Sequence, residues 1–121
     1  SQRRLKRPAL VDVAGMIRSF HYASRAAAIR FSRDLNTSLL SDLEAWLTLW
    51  YRWVSGTFLD AYLEVARPGG FLPADPEQLA GLLDFFLLEK AVYELGYEAN
   101  SRPDWVEIPA RGLLDILEST P

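Results

Sequence analysis

Apolar residues recur along the chain at spacings of three and four, in long stretches separated by polar or Pro/Gly-rich breaks. The first stretch predicts a helix over 12–33. Val13, Ile17, Phe20, Ala27 and Phe31 form its apolar stripe, and Arg18, Arg25 and Arg33 fall largely off it. Asp12 can cap the first turn, where its charge suits the positive end of the helix dipole. Gly15 costs about 1 kcal/mol against Ala inside a helix, so close backbone packing is expected there. Asp34, Asn36, Thr37 and Ser38 then offer several caps for a second helix over 39–66. Its stripe (Leu43, Trp46, Leu47, Trp50, Val54, Phe58, Ala61, Tyr62 and Val65) is broad enough to predict burial on several sides, and Ser55-Gly56 marks a bend.

Arg67-Pro68-Gly69-Gly70 ends that helix, and the third has the clearest start. Asp75 is placed as the N-cap, Pro76 takes the first helical position and Gln78 can complete a capping box. Leu79, Leu82, Leu83, Phe86, Leu87 and Val92 make its stripe over 76–100. The run from Leu82 to Leu88 is apolar nearly all round, which marks this as the central helix. Pro103 limits it. Pro109 can open a last helix over 109–119, with Leu113, Leu114, Ile116 and Leu117 on its apolar side. No stretch alternates apolar and polar residues convincingly, and no Asn-Gly or Asp-Gly turn occurs. The expected fold is all-α, about four helices in a single domain over 1–121, with residues 1–8 as a basic arm.

Composition sharpens this picture. Half of the 121 residues are hydrophobic and about a quarter are charged, enough for a packed core. There is no cysteine, which excludes disulfides and thiolate metal sites and favours an intracellular, cytoplasmic setting. With His21 as the sole histidine, multi-histidine metal sites lose their basis. No apolar run is long enough for a signal peptide or a membrane span. The chain begins without Met, as a piece cut from a longer protein would. The net charge of −3 hides an asymmetry: residues 1–33 carry eight of the 13 basic residues and a single acid, Asp12. A basic N-terminal segment can bind nucleic acid. The acidic pI of about 5.1 argues against that, and in favour of a solvated face or one made to meet acidic helices of the same molecule.

The chemistry of most enzyme classes is missing. There is no Gly-rich phosphate loop, no GxSxG elbow and no HExxH helix. Glu94 and Glu98, four apart, read as a solvated like-charge pair. His21 reads as a structural or surface histidine. Trp46, Trp50 and Trp53 read as core, with a stacking platform as the alternative. The second half of the third helix stands out: Glu89, Tyr93 and Tyr97 repeat every four residues, Asn100 continues the row, and Lys90 lies on the adjacent one. Carboxylate, ammonium, hydroxyls and flat rings together suit a sugar. A buried polar network locking the helix to its neighbours is the competing reading.

Two strings, LVDVAGMIRSFHYASRAA and LLDFFLLEKAVYELGYEANSRPDWVEIPARGLL, resemble the C-terminal lobe of bacterial maltokinases, which occur alone or fused behind trehalose synthase. These belong to the kinases that resemble aminoglycoside phosphotransferases. The resemblance runs from about Arg3 to the end and implies the helical part of a protein-kinase-like C-lobe. The intact family enzyme transfers the γ-phosphoryl group of ATP to maltose, giving maltose 1-phosphate, and needs Mg²⁺. The family's HGDxHxxQ catalytic and DFEGEP-like metal-binding segments are absent from these 121 residues. The resemblance therefore implies an acceptor-binding fragment, inactive alone, without catalytic, cofactor or metal residues of its own. It carries Glu89, Lys90, Tyr93, Tyr97 and Arg102 over as maltose contacts, with Trp46 and Trp50 as weaker stacking candidates. The partners it implies are maltose or a related sugar and the rest of the kinase. Apolar surface left open on the first two helices is expected to drive a homodimer. The alternatives are a non-catalytic helical interaction or scaffold module and a nucleic-acid-binding domain.

Overall fold

The computed structural model describes residues 8–119. Residues 1–7 of the expected basic arm lie outside them. Four helices account for the fold: α1 (Leu10–Phe31), α2 (Thr37–Ala66), α3 (Pro76–Ser101) and α4 (Glu107–Ser119). Single 3₁₀ turns, Arg67–Gly69 and Pro103–Trp105, follow α2 and α3. The described residues contain no strand, so the chain is all-α.

The caps follow from the side chains present. Asn36 is in extended backbone, and its side-chain oxygen accepts from the Leu39 N–H at 2.8 Å. Asp75 accepts from the Glu77 N–H at 3.2 Å, and Pro76 follows it at a position whose N–H would have no helical acceptor. At α1 the N-cap is Ala9, with no side-chain bond, so Asp12 contributes charge in the first turn and is not the cap. Gly70 closes the turn after α2 at φ 71°, a conformation glycine adopts without a Cβ clash. Pro109 lies inside the first turn of α4, where its missing N–H costs no hydrogen bond. Ser55-Gly56, where a bend is expected, does not interrupt α2, which is one continuous helix of 30 residues.

The central helix is α1, not α3. α1 packs against α2, α3 and α4; α3 also packs against α4; the backbones of α2 and α3 do not approach each other. Leu10, Val13, Ala14 and Ile17 of α1 meet Leu83 and Phe86 of α3 in the main core, and Phe58, Leu59 and Tyr62 of α2 close over it. Phe20 sets its ring edge-on to Phe58 at 5.7 Å and to Trp50 at 6.4 Å. Gly15 makes no close approach: a Cβ there would meet nothing within 4 Å.

The expectation that α2 is buried on several sides is also corrected. Having one helical partner, α2 buries one stripe, and only Leu63 and Ala66 are fully inside. Trp46 and Trp53 are 69% and 70% exposed, so they are not core. Phe31, Val65 and Val92, placed on apolar stripes by their spacing, are exposed as well. Among the described residues, no helix is long and apolar enough to cross a membrane.

Candidate functional site

The DVAGM stretch of α1 and the EKAVY stretch of α3 face each other across an open groove of about 700 Å³. Glu89, Lys90 and Tyr93 line one wall, spaced so that one side of α3 presents all three. Asp12, Gly15, Met16 and Ser19 line the other, and Val11 and Phe86 supply apolar surface. The Lys90 ammonium sits 5.2 Å from the centre of the Tyr93 ring. The Ser19 hydroxyl donates to the Gly15 carbonyl at 3.0 Å, leaving its lone pairs to accept from a visitor. The groove thus offers two carboxylates, one ammonium, two hydroxyls and an exposed aromatic ring.

The other two predicted residues lie off the groove lining. Tyr97 stands one turn further along α3 and is half exposed. Arg102, at the C-terminal end of α3, donates to Glu98 at 2.7 Å and stacks 4.3 Å over the Trp105 ring. Asn100 turns back to the Gly96 carbonyl at 3.0 Å. Trp46 and Trp50 belong to an apolar face of α2 that has no part in the groove.

Behind the groove runs a buried polar network that apolar spacing missed. Arg18 Nε donates to Glu94 Oε1 at 2.7 Å and Nη2 to Oε2 at 3.5 Å, while Nη1 reaches His21 Nδ1 at 2.9 Å. A guanidinium can only donate, so His21 Nδ1 accepts and the imidazole proton sits on Nε2. Burial first, and then the charges of Arg18, Arg25 and Arg111, pull the His21 pKa down from 6.5 to about 3. His21 is a fixed, neutral, structural group. Tyr22 is pushed up to about 12 by burial and by the carboxylates of Glu94 and Glu98. Gly112 of α4 lies against the Arg18 guanidinium.

Glu94 and Glu98 are therefore not a solvated pair. Glu94 is neutralised by Arg18, and Glu98 is 1% exposed, bonded to Arg102 through one oxygen while Oε2 has no partner among the described residues. Arg25 reaches Glu44 of α2 at 3.4 Å. Of the readings open for the basic first helix, meeting acidic helices of the same molecule describes Arg18 and Arg25. A signal for this was present. The buried positions of α1 include 10, 13, 14, 17, 18, 21, 24, 25 and 28, a helical stripe by position in which two members are arginines.

Among the described residues, no group of three or more His, Asp or Glu side chains could hold a metal ion. No family model matches the sequence, and no solved structure matches the chain.

Proposed function

We propose that this helical domain is the sugar-acceptor-binding part of a maltokinase-like enzyme and that the groove between α1 and α3 is its acceptor site. One observation carries the reading. The two strings that resemble maltokinases, residues 10–27 and 82–114, are far apart in sequence, yet they form the two walls of one groove whose polar groups suit a carbohydrate. Asp12 and Glu89 would accept hydrogen bonds from sugar hydroxyls, Lys90 would donate, and the Tyr93 ring would cover an apolar sugar face. Tyr97, about one 5.4 Å helical turn beyond Tyr93, would meet the second ring of a disaccharide that reaches past the groove. Arg102, tied to Glu98 and Trp105, would fix the exit of α3. ATP and Mg²⁺ would be held by segments that the resemblance places outside these residues, and the domain alone is expected to transfer no phosphoryl group.

Titrating the ¹⁵N-labelled chain with maltose tests this. Saturable shifts are expected at amides around Asp12, Met16, Ser19 and Glu89–Tyr93, with a millimolar Kd, about 4 kcal/mol of binding. Lys90→Ala and Tyr93→Ala should weaken binding several-fold. Tyr97→Ala should weaken maltose more than glucose. Shifts that do not saturate, or maltose binding unchanged in Lys90→Ala and Tyr93→Ala, refute the assignment.

A further inference from the structure

Trp46, Leu49, Trp50 and Trp53 form a contiguous apolar face on the side of α2 turned away from the core. Their exposures are 69%, 58%, 41% and 70%. Large exposed patches of this kind mark interaction surfaces. The spacing of the four residues reads the same from either end: three, one, three.

We infer that this face pairs with the same face of a second copy of the chain, α2 lying antiparallel to α2 about a two-fold axis between Leu49 and Trp50. A two-fold interface must be self-complementary, each residue meeting its symmetry mate's counterpart. That axis sets Trp46 of one copy opposite Trp53 of the other, and Leu49 opposite Trp50. It also sets Thr37 opposite Tyr62, so α2 overlaps along most of its 30 residues. Asp42 then faces Thr57 and Asp60 faces Leu39, so no like charges are opposed along the seam. Aromatic rings on both sides of the seam interdigitate at the distances that helix pairs favour.

The area is sufficient. At these exposures the four side chains present roughly 500 Å² per copy, and two copies reach the roughly 1,000 Å² of a specific interface before any flanking residue is counted. The seam is also ordered in advance, because Phe20 holds the Trp50 ring edge-on at 6.4 Å. The contact lies on a different helix from the sugar groove and does not depend on what that groove binds.

Sedimentation equilibrium and light scattering across a concentration series test the pairing, with circular dichroism to confirm that each variant is folded. The expected result is a dimer that Trp53→Glu converts to a monomer with unchanged helicity. The absence of native cysteine permits a second readout, independent of that variant. Leu49→Cys lies beside the axis and should crosslink to its own copy under mild oxidation. Asp42→Cys should not, being about 22 Å from its mate along the seam at 1.5 Å per residue. A monomer at every concentration, a dimer that survives Trp53→Glu, or no preference for crosslinking at Leu49→Cys over Asp42→Cys overturns the inference.

Discussion

Replacing Gly112 by alanine sets two effects of opposite sign against each other. Gly112 lies within α4, where alanine is favoured over glycine by about 1 kcal/mol, so propensity alone expects stabilisation. The local geometry opposes it. An added Cβ would overlap Arg18 Nη1 and sit 2.9 Å from Cζ, closer than such contacts occur. A flexible side chain could step aside, but this guanidinium is 3% exposed and held by Glu94 on one side and His21 on the other. Moving it breaks a buried ion pair, a loss of about 3–5 kcal/mol when one charge is left without its partner. The steric effect wins, and Gly112→Ala should destabilise the domain by about 2–4 kcal/mol, a large share of the 5–15 kcal/mol typical of a whole domain. Urea unfolding followed by far-UV circular dichroism reads the change as a shift in midpoint at constant slope. The cycle with Arg18→Met isolates the cause: with the guanidinium gone, Gly112→Ala should become neutral or stabilising. A Gly112→Ala protein as stable as the parent, or one equally destabilised in both backgrounds, refutes the argument.

Two further outcomes follow from the buried histidine and the caps. His21 has a folded pKa of about 3 against 6.5 when unfolded, so the unfolded chain binds the proton first and stability falls as pH drops below 6.5. The contribution is up to about 1.4 kcal/mol per pH unit, and His21→Gln should flatten the slope between pH 6.5 and 5; equal slopes in the two proteins would exclude it. Asn36→Ala removes the acceptor for the Leu39 N–H and should lower stability by about 1 kcal/mol, while Asn36→Gly should cost a few tenths; a thermal melt that leaves Asn36→Ala unchanged argues against the cap.

The helices were legible because their signals are local. Asp75-Pro76 announces the start of α3, and Pro103 its end, within a few residues of the event. Packing was less legible, because spacing records which face is apolar and not how many partners the helix has. α2 carries aromatic residues around much of its circumference yet meets one helix, so Trp46 and Trp53 remain outside. α3 is the more apolar helix around Leu82–Leu88, yet α1 is central because it alone packs against all three other helices. The pairing of Arg18 with Glu94 joins residues 76 apart, and although position 18 falls on the buried stripe of α1, nothing local tells which carboxylate it meets. Of the five candidate contacts, Glu89, Lys90 and Tyr93 share the groove because the helical repeat puts them on one side of α3. Tyr97 and Arg102 lie beyond it because the groove extends only as far as its opposite wall, Val11 to Ser19, allows.

The distance in sequence between Arg18 and Glu94 also orders events during synthesis. At about 5–20 residues per second, roughly 4 to 15 s separate the emergence of the arginine from that of its carboxylate. The α1–α2 hairpin is complete well before α3 exists, and for that interval it is a half-finished domain. Arg18, still without its carboxylate on the open side, then keeps the nascent face hydrated, where an all-apolar stripe would be free to adhere to other chains. A charge that is costly to bury in the finished protein thus guards the unfinished one.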